Sequence, residues 1–346
     1  MNNIEIKNNK IILISHEMTY TGAPRSLLNI CIILKKIGKN ITVYTLENGP
    51  FQNEFERVGI EVNKYSDNCL GNISYSDIVI LNTIFTAPLC KKIKFLTGAR
   101  VYLFIREAKN LSTLMLSCGI DENNITCADE VLCVSKYAAT YIERYSPKKL
   151  IVLHNYVRDY YKISLNLVEN NIINYLISGT YEERKGVDIA VQAFLKMPME
   201  LKEKTQLHIV GPTPDFSKNY QEYVRGMYDG RIIEHGEIRD EIERINLYNK
   251  MNVFLVPSKD ESCSLVALEG AMLGKLIIIS ENVGASYVCG DSKWIFKTDD
   301  IYDLCRKMCN ATSRKELIVE GIRNRSKYRK SSTEKVFTKN LFKIIN

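Results

Sequence analysis

The stretch Val253-Phe-Leu-Val-Pro-Ser-Lys-Asp-Glu-Ser-Cys-Ser-Leu-Val-Ala-Leu-Glu269, continuing into Gly270-Ala-Met-Leu-Gly274, decides how the rest of the chain is read. Val253 to Val256 is a short apolar run suited to a buried parallel strand. A Pro-Ser-Lys-Asp loop follows, and Ser262 or Ser264 can then cap a helix whose apolar face runs through Leu265, Leu268, Met272 and Leu273. Glu261 precedes that helix and Glu269 stands eight positions later, which two helical turns would place roughly 10 Å farther along. The first backbone N–H groups of a helix lack partners, so its start is a ready phosphate site. Carboxylates on both sides of an anion site suit a ligand with phosphates in the middle and hydroxyls at both ends. A nucleotide sugar is such a ligand.

At 346 residues the chain is expected to form two domains of roughly 150 to 200 residues. No apolar run approaches the roughly 20 residues of a membrane span, and Met1-Asn-Asn-Ile-Glu5 does not read as a signal peptide. Ten cysteines are scattered singly without a Cys-x-x-Cys pair, which points to reduced thiols and a cytoplasmic setting. The four histidines lie far apart, so no metal site is expected. The net charge of +7 is concentrated in residues 321–346, which hold eight Lys or Arg against one Glu. A second basic patch comprises Lys91, Lys92, Lys94, Arg100, Arg106 and Lys109. Neither is interleaved with stacking aromatics in a recognisable nucleic-acid module. An anionic membrane surface is the better-fitting partner, and a plain solvated face is the alternative.

Taken in order, Lys10–Ser15 reads as a buried strand, then a loop to Pro24, a helix from Arg25 to Lys36 stopped by Gly38, and a strand at Ile41–Thr45. This is a βαβ unit and implies a parallel sheet. Gly22, at the start of the helix, leaves room for a ligand to approach the backbone. Further strands are expected at Ile78–Leu81, Val101–Ile105, Glu130–Val134 and Leu150–Leu153. Arg106 and Glu107 follow a strand end, where open α/β sheets place ligand-contacting residues. Tyr160 to Asn171 reads as a linker. A second series follows, with strands at Asn174–Ser178, Leu207–Val210, Arg231–His235, Val253–Val256 and Lys275–Ser280, and helices at Val187–Leu195 and Asp240–Met251. The fold class is therefore α/β with two Rossmann-like domains, residues 1–158 and 172–320, followed by a basic helical segment, 321–346.

Glu261, seven residues, Glu269, together with Gly179 six positions before Lys185-Gly186 and Gly22 before the first helix, resembles the retaining GT-B glycosyltransferases of family 4. Val152-Leu-His-Asn155 looks like that family's interdomain segment, and Ala128 to Lys136 like its last N-domain strand. The resemblance covers nearly the whole chain and implies two domains facing across a cleft, with the C-terminal helix a candidate to cross back to the first. It implies that Glu261 bonds the donor sugar, Glu269 the ribose hydroxyls, and Lys185 the diphosphate. The amides of Ser262, Cys263, Ser264 and Leu265 would hold that same diphosphate. No cofactor or metal is implied, because a helix N-terminus plus a lysine can stabilise the leaving diphosphate. The implied partners are a nucleotide-sugar donor and a glycan or lipid-diphosphate-linked acceptor, in a bacterial surface polysaccharide pathway.

Three positions depart from the family pattern. Thr180 stands where an arginine is usual, and Arg184 is a candidate to reach the same phosphates or to face solvent. Ser262-Cys263-Ser264 replaces a small-residue turn. Arg106 stands where many members have histidine; a permanently charged guanidinium is no general base, so its expected role is electrostatic. The alternatives are a nucleotide-sugar epimerase of the same fold and a non-catalytic subunit that binds sugar nucleotide or membrane.

Overall fold

The computed structural model describes residues 9–161 and 172–345. The chain divides into two compact units, Met1–Asn155 with Thr338–Asn346, and Tyr156–Phe337. Met1 to Glu5 and most of the expected linker lie outside the described residues.

The first unit is built on β1 (Ile11–Ser15), β2 (Ile41–Thr45), β3 (Val62–Lys64), β4 (Ile78–Asn82), β5 (Arg100–Ile105), β6 (Glu130–Cys133) and β7 (Ile151–Val152). All pairings are parallel, in the order β3-β2-β1-β4-β5-β6-β7. Leu13 lies in register with Val43 on one side and Ile80 on the other. Every residue of β1 and β4 is buried, the pattern of strands covered on both faces. Helix α1 (Gly22–Lys36) starts three residues before its expected boundary; α2 (Leu89–Thr97) connects β4 to β5.

The second unit carries β8 (Ile173–Ser178), β9 (Thr205–Val210), β10 (Ile232–Gly236), β11 (Val253–Val256), β12 (Leu276–Ser280) and β13 (Ile295–Phe296). They are again parallel, in the order β10-β9-β8-β11-β12-β13. Its helices include α3 (Val187–Leu195), α4 (Glu241–Asn249) and α5 (Leu265–Met272). Leu268 and Met272 of α5 are fully buried, each contributing roughly 1.5–3 kcal/mol of hydrophobic stabilisation. The two strands not anticipated, β3 and β13, are three- and two-residue sheet edges. Elements that short show almost no apolar periodicity.

The C-terminal segment is not a separate body. Helix α6 (Arg314–Ser331) belongs to the second unit. A Cβ on Gly321 would stand 2.1 Å from the Gly274 carbonyl oxygen, so the two backbones touch. Asn324 Nδ2 donates to Lys275 O (2.8 Å) and Tyr328 Oη to Val157 O (2.9 Å). Helix α7 (Glu334–Ile345) begins in the second unit, and from Thr338 its residues belong to the first. There Leu341 and Ile345 are buried, and Tyr102 Oη donates to Ile344 O at 3.1 Å. The division between units falls after Asn155, and residues 321–346 are shared between them. Tyr160, at the start of the expected linker, is instead buried in the second unit, with its hydroxyl 2.8 Å from Glu241 Oε2.

Candidate active site

In the second unit the strand order reverses between β8 and β11, the switch point at which open α/β sheets bind ligands beyond their strand ends. β8 leads through Gly179 into a loop ending at Gly186, and β11 leads through Pro257 to Glu261. The loops are fastened together. Lys259 N–H donates to Arg184 O (2.8 Å), and Arg184 Nη1 donates to Asp260 O (3.0 Å). Gly186 has φ +66, and a Cβ there would lie 2.3 Å from the Pro257 carbonyl oxygen. Only glycine fits that position.

This seam brings Lys185 Nζ to 3.0 Å from Glu261 Oε1. Ser258 Oγ donates to the other carboxylate oxygen at 2.8 Å. Glu261 itself does not cap a helix. It bridges to Val283 in a parallel arrangement, its N–H donating to Asn282 O (3.1 Å) and its carbonyl accepting from Gly284 N–H (2.8 Å). The eight positions from Glu261 to Glu269 are therefore not one helix, and the roughly 10 Å helical separation expected from the sequence does not apply. Thr180 is half-buried, its carbonyl accepting from Glu182 N–H at 2.8 Å. Arg184 also meets Glu182 Oε2 at 3.2 Å. Its known contacts are thus to the neighbouring loop and to Glu182.

Helix α5 begins immediately after. Ser264, not Ser262, is its cap: Ser264 Oγ accepts from Ala267 N–H at 3.3 Å. Leu268 N–H bonds Ser264 O, which leaves the amides of Leu265 and Val266 at the open end of the helix, without a protein acceptor among the described residues. Ser262 and Cys263 are half-buried in the approach to that turn. Glu269, in the second turn, is only 4 % exposed and faces Arg244 of α4, with Nη2 to Oε1 at 3.4 Å. Arg244 Nε is buried with no hydrogen-bond partner among the described residues. The sequence reading missed Arg244 and Ser258. Arg244 had a signal, since it shares a helix face with the buried Tyr248 four positions on.

The other strand ends of this sheet are equally close. Gly211 N–H donates to Gly236 O (2.8 Å), and a Cβ on Gly211 would lie 1.8 Å from Gly179 O. His235 Nε2 and His208 Nδ1 are 2.9 Å apart with rings stacked at 5.2 Å, and His208 Nε2 reaches Asn174 Oδ1 at 3.3 Å. Burial first, and the neighbouring His235 second, push His208 down to about 4.

The first unit assembles its own polar cluster, at the switch between β1 and β4. Arg106, just past β5, donates from Nε to Asn82 Oδ1 and from Nη1 to Asn155 Oδ1 (3.2 Å), with its guanidinium 4.1 Å over the Phe104 ring. Glu107 Oε2 accepts from the amides of Arg106 (3.0 Å) and Ile84 (3.1 Å). Burial raises its carboxyl to about 6, against the opposing pull of those amides and of the Arg106 charge. His16 Nδ1 lies 3.0 Å from Thr83 Oγ1, and Thr83 holds φ +92, a strained value for a β-branched residue. Glu17 Oε1 accepts from Thr19 (2.8 Å) and Thr21 (3.0 Å). Gly22 opens α1 exposed, with nothing within 4 Å of a Cβ built on it. His16, Asn82 and Thr83 were not singled out from sequence, because isolated polar residues at strand ends carry no spacing pattern, and Asn155 was named only as the end of the interdomain segment.

Among the described residues no cluster of three or more His, Cys, Asp or Glu side chains could hold a metal ion, and no helix is long and apolar enough to cross a membrane.

Comparison with known proteins agrees across both units. Residues 173–314 match the family model described as glycosyl transferases group 1, and residues 7–109 that of glycosyl-transferase family 4. A curated relative, an uncharacterised glycosyltransferase of Methanocaldococcus jannaschii, is 24% identical over 194 residues, covering 56% of this chain and 52% of its own. The chain thus spans about half the length of that relative. Among solved structures, Anabaena HepE in complex with UDP superposes with a TM-score of 0.83 at 12% identity, covering 97% of this chain and 99% of that one. The apo lipopolysaccharide outer core galactosyltransferase WaaB gives 0.75 at 16% identity, covering 97% and 99%. With the β8–β11 switch point and its Lys185–Glu261 pair inside the matched region, the chain belongs to the group 1 glycosyltransferases of family 4 and has their GT-B fold of two Rossmann-like domains.

Proposed function

We propose that this glycosyltransferase moves a sugar, a hexose, from a nucleoside-diphosphate donor to a glycan or lipid-diphosphate-linked acceptor. The reaction retains configuration, needs no metal and serves a bacterial surface polysaccharide. The carrying observation is the Lys185–Glu261 contact beside the open end of α5. As the glycosidic C–O bond breaks, negative charge grows on the departing diphosphate. In this reading the Lys185 ammonium and the amides of Leu265 and Val266 take up that charge. Glu261, held by Ser258, is left to accept from the hydroxyls of the sugar, and Glu269 from those of the ribose. The acceptor hydroxyl attacks on the face the phosphate leaves. In the first unit, Arg106 acts electrostatically on an anionic substrate group, and Gly22 leaves room at the backbone. Solved HepE structures contain UDP and UDP-glucose, which supports a nucleotide-sugar donor for this chain. WaaB, a lipopolysaccharide galactosyltransferase, supports the surface-glycan setting, on the cytoplasmic side where nucleotide sugars are made.

The test is nucleotide release from a panel of nucleotide sugars, with and without glycan and lipid-linked acceptors, in the presence of a chelator. Release that requires an acceptor and survives chelation is the expected result. Isomerised donor without acceptor would instead mark an epimerase, and donor binding without turnover a binding subunit.

A further inference from the structure

Helix α2 carries an outward face that the candidate active site does not use. Its inner side is Cys90 and Ile93, both buried. Lys91, Lys92, Phe95 and Leu96, at i, i+1, i+4 and i+5, fall on the opposite side. Phe95 is 87% exposed and Leu96 56%. The helix stops at Gly98, φ +68, where an added Cβ would stand 3.4 Å from Tyr75 Cβ. Tyr75, itself 69% exposed, therefore stands against the same helix end, and exposed Arg100 opens β5 two residues on.

Single exposed apolar side chains are ordinary on a protein surface. Here three share one helix end, ringed by cations. Lys92 is paired with Asp67 (2.5 Å) and Lys94 with Asp129. Lys91 and Arg100 have no acidic partner among the described residues. The basic patch anticipated from sequence is thereby narrowed, since Lys94 is neutralised and Arg106 is anchored by Asn82 and Asn155. Three apolar side chains at one helix end are few against the roughly 20–30 residues a side that a stable protein interface uses. Apolar side chains that reach a few ångströms into the headgroup boundary, flanked by Lys and Arg, match what an anionic bilayer surface binds.

We propose that the Phe95–Leu96 end of α2, with Lys91, Arg100 and Tyr75, docks this chain on an anionic phospholipid surface. Phe95 and Leu96 enter the interface while Lys91 and Arg100 meet lipid phosphates. The proposal does not rest on the glycosyl-transfer reading, and its readout is binding alone.

The experiment is co-sedimentation of the full chain with phosphatidylcholine vesicles, with and without phosphatidylglycerol. Binding is expected only to the anionic vesicles, and it should weaken as salt shortens the Debye length from about 10 Å to about 3 Å. Phe95→Ser with Leu96→Ser should lower the partition coefficient at least about tenfold, and Lys91→Gln with Arg100→Gln should do so while flattening the salt dependence. Melting temperature should not change in either variant. Absence of wild-type binding, variants that bind as wild type does, or binding to a single-stranded oligonucleotide in place of vesicles would each overturn the proposal.

Discussion

Lys185 and Glu261 meet at 3.0 Å although the first stands in the loop after β8 and the second beyond β11. The contact is made by the reversal of strand order, which sets those two loops side by side. With side chains 20% and 14% exposed, each group is partly withdrawn from water and leans on the other. Lys185→Ala and Glu261→Ala should each lower turnover roughly 10²- to 10³-fold. The double variant should lose little more than the worse single one, because the two act as a unit. A double-mutant cycle on kcat/KM checks this; strictly additive losses would show that they act independently.

Glu269 and Arg244 form a different kind of pair, buried on both sides. Removing one partner strands a charge in the interior, so Glu269→Ala should destabilise the second unit by about 3–5 kcal/mol. Replacing both by apolar residues of similar volume should recover most of that stability without restoring donor binding. Urea unfolding and donor affinity, measured on the same three proteins, separate the structural contribution from the functional one.

Gly22 and Gly186 make opposite predictions. A Cβ at Gly22 meets nothing, so Gly22→Ala should leave stability unchanged or raise it by up to about 1 kcal/mol through helix propensity. Its turnover should fall if substrate approaches the backbone there. Gly186→Ala combines φ +66 with a 2.3 Å approach to the Pro257 carbonyl oxygen, so it should cost at least about 1–3 kcal/mol and displace Lys185. Thermal melts alongside turnover distinguish the two patterns.

His208 links stability to pH. Its folded value of about 4 lies below the ordinary 6.5, so between those limits the unfolded chain binds the proton more readily. Its contribution is complete above about pH 6.5 and is lost as pH falls through about 4, about 3 kcal/mol in all. Urea unfolding near pH 7.5 and about pH 5 should show this loss in wild type and a smaller one in His208→Gln. An unchanged difference between the two proteins would remove His208 as the source.

Much of the architecture was legible because buried parallel strands announce themselves. Residues 11–14, 253–256 and 276–279 are unbroken apolar runs bounded by Gly, Pro or polar residues. Helix α3 falls on its expected residues, since Gly186 supplies the left-handed start and Val187, Ala190, Val191 and Phe194 repeat at helical spacing. The edge strands β3 and β13 were not legible, being too short to show a period.

For the candidate site, sequence by itself determined which residue types stand at which strand ends: Lys185 after one strand, Glu261 after another, Glu269 on the helix that follows. Only the tertiary structure decided who faces whom. Lys185 turns to Glu261, Glu269 turns inward to Arg244, and Arg106 is held by Asn82 and Asn155. The reason is physical. Periodicity and local turn chemistry act over a few residues, and one chain segment can record them. A partner across a sheet depends on strand order and register, which arise only when distant segments pack together.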